Sequence, residues 1–230
     1  MEKNSAGRGT MTGAGTGVPK RETYRHGDLR QVLVAAGVEM ARRGGPEAVV
    51  LREATRRAGV APSAAYRHFA DRGALLDAVC SAALAELAGT MEAELAGLPR
   101  DGKSDGEPDG GTAAMARFGA VGRGYLRFAR EEPGLFRTAF SASENLDDAA
   151  SPAKAGGGGL TPFQLLGAAL DGLVEAGMLP PERRPGAEFL AWSAVHGLGV
   201  LLIDGPLRGL DEATGDDVGQ RLIAMIERGL

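Results

Sequence analysis

The chain has 230 residues, 43% of them hydrophobic and 24% charged, with a formal net charge of −4 at pH 7. This length can bury a substantial core in one domain or two, and the composition is that of an ordinary folded protein rather than a disordered or fibrous one. The single cysteine, Cys80, excludes an internal disulfide framework and any multi-cysteine zinc site, and it suits a reducing compartment.

The charge is unevenly spread. Residues 20–72 hold 11 Lys and Arg against 6 Asp and Glu, whereas residues 73–230 hold 13 against 23. A basic lobe on an acidic body suits one part that meets phosphate and another that does not. The apolar stretch Phe189 to Ile203 falls short of the roughly 20 residues needed to cross a bilayer, and Trp192, Ser193 and His196 interrupt it. No apolar signal core opens the chain, so a cytoplasmic protein without a membrane partner is expected.

Residues 1–23 read as a flexible tail rich in Gly, Ser and Thr. Lys20, Arg21 and Arg25 are either an arm for a minor groove or phosphate, or simply solvated charge. Asp28 can cap a helix to about Arg43, with Leu29, Val32, Leu33, Ala36 and Met40 on one face and Gly44-Gly45-Pro46 as its stop. Short helices at 51–58 and 62–68 follow, and Leu33, Ala54, Ala58, Val60, Ala65 and Phe69 can share one small core. Asp71 can cap a long helix over 72–97 with the stripe Leu75, Leu76, Val79, Ala83, Leu84, Leu87, Met91 and Leu95. Cys80 lies beside that stripe and reads as a packed small side chain.

The stretch PRDGKSDGEPDGG at 99–111 reads as a linker, and Gly156 to Gly159 as a second flexible loop. Further helices are expected at 112–130, 133–141, 161–177, 185–204 and 214–229. No strand pattern stands out, so the fold class is all-α with about nine helices.

The stretch LREATRRAGVAPSAAYRHF at 51–69 has the grammar of a helix-turn-helix, whose second helix lies in the DNA major groove. Arg52 and Arg56 are one turn apart and can reach the backbone or a base edge. Pro62 starts the second helix, Ser63, Ala64 and Arg67 face the groove, and Tyr66 and His68 offer groups to phosphates. Arg72 at the start of the next helix also suits a phosphate. The competing reading is a helical hairpin with a solvated basic face.

The later helices carry Phe118, Tyr125, Phe128, Phe136, Phe140, Phe163, Phe189 and Trp192 among small residues. Of these, Phe118, Tyr125, Phe136, Phe140, Phe163 and Trp192, with His196, are the candidate lining of a ligand pocket. Ordinary core packing is the simpler explanation of each aromatic residue taken singly, and a buried histidine bonded to a backbone group is the alternative for His196. GAVGRG at 119–124 has the wrong glycine order for a dinucleotide fingerprint. His26, His68 and His196 are scattered, without metal-ligand spacing, and no nucleophile elbow surrounds Ser193. Neither a metal, a cofactor nor an enzyme activity is expected. Val195, Leu198, Leu202, Leu222, Met225 and Ile226 are candidates for an intersubunit four-helix bundle, or for cover on the protomer's own core.

YRHGDLRQVLVAAG together with LREATRRAGVAPSAAYRHFADRGALLDAV resembles the N-terminal domain of the tetracycline-repressor (TetR) family over about residues 24–80. AWSAVHGLGVLL, with Trp192, His196 and Gly197, and EEPGLFRTAFS at 131–141 resemble a subgroup named for a Trp-His-Gly signature. The resemblance implies a flexible tail at 1–23, a three-helix DNA-binding domain at 24–71 and a helical ligand-binding and dimerisation domain at 72–230. It implies a homodimeric repressor released from a palindromic double-stranded operator by a small, apolar or aromatic effector. Arg52, Pro62, Ser63, Ala64, Tyr66, Arg67, His68 and Arg72 fall on the family's DNA-contacting positions. Val50 and Ala61 stand where the family places Ser or Thr caps, Thr55 stands for a small Ala, and Ala54 for a larger apolar residue. The alternative from another class is a small all-α binding protein or enzyme with a non-functional head.

Overall fold

Nine α-helices and no strand occur among the described residues of the computed structural model, which are 26–99, 110–141 and 148–229. The tail with Lys20, Arg21 and Arg25, and most of the 99–111 linker, lie outside the described residues. The helices are α1 (His26–Gly44), α2 (Leu51–Ala58), α3 (Pro62–Ala65), α4 (Arg72–Ala96), α5 (Gly110–Glu131), α6 (Pro133–Ala139), α7 (Pro162–Glu175), α8 (Ala187–Ile203) and α9 (Glu212–Gly229).

Two expected boundaries move. The described part of α1 already includes His26, so Asp28 lies inside the helix rather than at its cap. α3 closes at Ala65, and residues 66–68 form a turn. The other stops and starts follow the local chemistry. Gly45 takes φ 69 after α1, a left-handed conformation that costs a glycine little. Asp71 Oδ1 accepts from the Ala74 amide at 2.9 Å and caps α4. Thr161 and Gln164 form a capping box at the start of α7.

α4 is the central post, packed against α1, α5, α6 and α7. Leu75, Val79, Ala83, Leu87 and Met91 of its expected stripe are buried, while Leu76, Leu84 and Leu95 are half-buried. Among the described residues, α4 rather than α8 is the helix long and apolar enough to cross a membrane. Its apolar side chains instead meet other helices, as a core helix requires. Cys80 is fully buried here and its thiol donates to the Thr138 carbonyl of α6 at 3.0 Å.

Glycines set the closest helix approaches. A Cβ on Gly124 of α5 would lie 2.6 Å from the Met91 Cα of α4, and one on Gly122 would lie 3.0 Å from Ile223 of α9. The glycines of GAVGRG therefore serve helix packing. Gly156 to Gly159 form a closed turn rather than an open loop. The Gly156 amide donates to the Leu160 carbonyl at 3.0 Å, and the Gly158 amide donates to Glu92 of α4 at 3.0 Å.

The proposed bundle face also needs correction. Val195, Leu198 and Ile226 are buried inside the protomer, and Leu202 and Leu222 are half-buried. Met225 is exposed, together with Phe189, Leu190, Val200 and Leu201. The apolar residues of α8 and α9 marked out two helices but not which stripe faces inward.

Neither Val50 nor Ala61, the residues before α2 and α3, supplies a side-chain cap. Ala61 already has the extended backbone of a capping residue, with φ −68 and ψ 143. Ala61→Ser should therefore stabilise α3 by about 0.5–2 kcal/mol. Amide exchange within residues 62–69 should slow in that variant while exchange in α4 stays unchanged. Equal exchange before and after the substitution counts against a missing cap as the weakness of this segment.

Candidate functional site

The first candidate site is the outer face of α2 and α3. Leu51, Ala54 and Thr55 bury the inner face of α2, and Thr55 returns its hydroxyl to the Arg52 carbonyl at 2.7 Å. Gly59 then adopts φ 67, and the Val60 amide reaches back to the Thr55 carbonyl at 3.1 Å. This six-residue closure ends α2 and turns the chain sharply into α3. Ala65 and Phe69 are the buried anchors on the far side, with the Arg30 guanidinium 5.3 Å from the Phe69 ring centre. Of the expected shared core, Leu33, Ala54, Ala65 and Phe69 are buried, while Ala58 and Val60 are half-buried.

These anchors leave Arg52, Pro62, Ser63, Tyr66 and Arg67 exposed, with Ala64 and His68 half-buried. Tyr66 is 56% exposed, an unusual state for an aromatic side chain with a packed core beneath it. The arginines divide into two groups. Arg56 and Arg57 both donate to Glu53, and their hydrogen bonds pull the Glu53 carboxyl down to about 2. Arg72 donates to the Val49 carbonyl at 2.8 Å and the Pro46 carbonyl at 2.6 Å, bracing the turn before α2. Arg42 bridges Glu86 and Glu132 at the far end of α1. Among the described residues, Arg52 and Arg67 have no carboxylate, carbonyl or ring partner for their guanidinium groups.

The second candidate site is a cavity of about 440 Å³ among α4, α5, α7, α8 and α9. Phe118, Tyr125, Phe140, Phe163, Trp192 and His196 all line it. Phe136 does not reach the lining, but stacks behind His196 with ring centres 5.4 Å apart and planes 25° apart. Phe128 is buried elsewhere in the core, and Phe189 lies outside against Phe163 at 5.9 Å. Val195 and Ile226, expected as bundle or core residues, and Ile223, which was not expected at any site, add aliphatic wall. Lys154 also lines the cavity, its buried ammonium donating to the Asp148 carbonyl at 2.8 Å. Sequence reasoning missed Lys154 because its lysine type and short flanking turn carry no burial signal.

Three polar groups form a chain in the wall. Trp192 Nε1 donates to the Tyr125 hydroxyl at 3.1 Å, and that hydroxyl lies 2.8 Å from His196 Nδ1. Burial pushes the Tyr125 hydroxyl pKa up and the His196 pKa down, so both groups are neutral near pH 7. Trp192 and His196 are four residues apart on α8 and thus share a face, while Tyr125 comes from α5.

The cavity and the head meet through α6. Phe136, in the middle of α6, and Phe140, just after its end, lie against His196. Gly134, in its first turn, lies so close to the Ala41 and Arg42 carbonyls that a Cβ has no room. Arg137 of α6 makes a two-pronged ion pair with Asp204 at the end of α8, with contacts of 2.6–2.9 Å.

Two family models match the chain. "Bacterial regulatory proteins, tetR family" matches residues 33–79, and "Tetracyclin repressor-like, C-terminal domain" matches residues 118–226. A protein of unknown function from Rhodococcus sp. RHA1 is 26% identical, with a TM-score of 0.67 over 91% of this chain and 99% of its own. A TetR-family transcriptional regulator from Pectobacterium atrosepticum is 18% identical, with a TM-score of 0.59 over 91% and 96% of the two chains. A TetR variant from Acinetobacter baumannii, in complex with minocycline, is 20% identical, with a TM-score of 0.50 over 85% and 94%. No curated protein matches.

The depressed His196 pKa has a consequence for stability. The folded state resists a proton that the unfolded chain accepts near the ordinary value of 6.5. Stability should therefore decline as pH falls below that value and stop declining once the folded-state pKa is passed. Urea unfolding at about pH 7.5 and 5.5 should give a smaller pH-dependent loss for His196→Gln than for the parent protein. Identical losses would mean that His196 does not titrate differently in the two states.

Proposed function

The chain belongs to the TetR family of DNA-binding transcriptional regulators, and we propose that it is a repressor which a small molecule releases from a palindromic operator. Residues 24–71 form the reading head in this proposal, and residues 72–230 form the effector-binding and dimerisation body. The observation that carries the proposal is the pair of arginines left without internal partners. Neighbouring guanidinium groups are held by Glu53, by backbone carbonyls or against Phe69, whereas Arg52 and Arg67 stand exposed beside Ser63 and Tyr66. Folding engages the other nearby arginines in internal contacts and leaves this pair available for phosphate or guanine.

Pro62, Ser63, Ala64 and Tyr66 would approach the groove, with His68 at its edge. Arg72 acts first as an internal brace, and only the donors left over from its two carbonyl contacts are offered to phosphate. The short reading helix carries few base-specific donors, so Arg52, Arg67 and DNA shape share the discrimination. The exposed strip of Phe189, Leu190, Val200, Leu201 and Met225 supports a homodimer built on α8 and α9. Two equal heads then meet half-sites about 34–36 Å apart.

The cavity is the effector site in this proposal, and minocycline in the related Acinetobacter structure supports a small-molecule ligand. α6 joins that site to the head, because its aromatic residues back the cavity while Gly134 presses on α1. An effector favours release only by binding more tightly to the state with the wrong head spacing. A cytoplasmic, non-enzymatic role follows from the same reading.

A gel shift with DNA flanking the protein's own gene tests the head. The Arg52→Ala, Tyr66→Ala double variant should lose at least about tenfold in operator affinity while keeping its oligomeric state. Log affinity should fall with log salt by about 0.9 for each phosphate neutralised. Absence of any specific shift at low salt would favour the alternative of a non-functional head. Leu190→Glu should convert the dimer to a monomer in sedimentation, and a variant that remains dimeric would remove α8 from the interface.

A further inference from the structure

The polar chain in the cavity wall has a direction, and that direction limits what the cavity can hold. Tryptophan Nε1 is only a donor, and a tyrosine hydroxyl has one proton. Trp192 already donates to the Tyr125 oxygen. If His196 Nδ1 also donated to that oxygen, the Tyr125 proton would need another acceptor, and no other hydrogen bond of this hydroxyl occurs among the described residues. Tyr125 is 5% exposed, so leaving its proton without a partner would be unfavourable. The satisfied arrangement runs Trp192 to Tyr125 to His196. It makes Nδ1 the acceptor and leaves the imidazole proton on Nε2.

That Nε2–H has no protein acceptor among the described residues. It is not sealed in the core either, because the one buried side-chain nitrogen or oxygen lacking a partner there is Arg127 Nε. Nε2 therefore borders open space, and the space that His196 lines is the cavity. Phe136 stacks on the imidazole, and Phe140 meets it edge-on with centres 4.8 Å apart. The ring is thus fixed on its faces and at Nδ1. This donor is presented in a wall that is mostly aromatic and aliphatic, with Ser193 and Lys154 as its polar side chains outside the chain of three.

We propose that the cavity selects uncharged carbonyl compounds with an aromatic or alicyclic body, whose carbonyl oxygen accepts from His196 Nε2–H. This rests on the reading of the cavity as the effector site. A hydrocarbon of the same shape fills the space beside the donor and leaves it without a partner. A carboxylate must give up its hydration to a wall where Lys154 is already engaged with the Asp148 carbonyl. Tyr125 and Trp192 are positioning residues, since they set which imidazole nitrogen carries the proton.

The test is calorimetric titration of the full-length protein with benzophenone, diphenylmethane and diphenylacetate. Trp192, the sole tryptophan, reports by its fluorescence whether a bound probe lies in the cavity. Benzophenone should bind about tenfold more tightly than diphenylmethane, with diphenylacetate weaker than benzophenone. His196→Phe keeps a ring against Phe136 but has no donor, and should reduce the ketone preference to about twofold or less. Tyr125→Phe frees the imidazole to move its proton and should reduce the preference while His196 remains. This second variant keeps the test decisive if the first fails to fold.

Equal binding of benzophenone and diphenylmethane to the parent protein overturns the proposal and leaves the cavity as effector site intact. Tightest binding by diphenylacetate overturns it in favour of recognition by Lys154. Binding of none of the three overturns the proposal and the effector-site reading together.

Discussion

Gly134 is where the two halves of the molecule touch without any side chain between them. Its backbone lies against the Ala41 and Arg42 carbonyls at the end of α1, and no residue with a Cβ fits there. That contact fixes how α6 lies beneath the head. Phe136 and Phe140 therefore stand behind and within the cavity, and Arg137 comes within reach of Asp204. Arg42, joined to Glu86 of α4 and Glu132 beside α6, ties the same corner by charge. Packed interfaces of this kind do not deform smoothly, so a shift of α6 has to be accommodated by α1.

The electrostatics follow a similar economy. Among the described residues of the basic head, Arg42, Arg43, Arg56, Arg57 and Arg72 lie in ion pairs, and Glu53 alone organises Arg56 and Arg57. Exposed pairs like these add little stability, but they fix side-chain directions. Arg52 and Arg67 stand outside these pairs, with every guanidinium donor unused among the described residues. The cavity works the other way round. Its wall is mostly apolar, and its central polar chain is closed except at one imidazole nitrogen. A few directed polar groups in an apolar enclosure give orientation without a large desolvation cost.

Much of this was legible in the sequence. Apolar period, Gly59, Pro62 and Asp71 specify helix types and turns through local sterics and local hydrogen bonds, and these need no distant partner. The nine-helix order, the Gly59 turn and the α4 cap follow from them. The aromatic residues of α5 to α8 were recognisable as a set, but not as a wall. Phe136, Phe140 and Phe189 look alike in the sequence, yet one backs the cavity, one lines it and one faces outward.

What the sequence determined by itself was the all-helical class, the helix-turn-helix and the division of charge, because each depends on neighbours a few positions apart. Tertiary structure alone decided which stripe of α8 and α9 faces inward, why the glycines of α5 are there and which arginines are already paired. It also decided the direction of the Trp192–Tyr125–His196 chain. Tyr125 is 67 residues from Trp192 and 71 from His196, so no local pattern could place its hydroxyl between them. Their meeting depends on α5 and α8 packing side by side, a relation that exists only once the chain has folded.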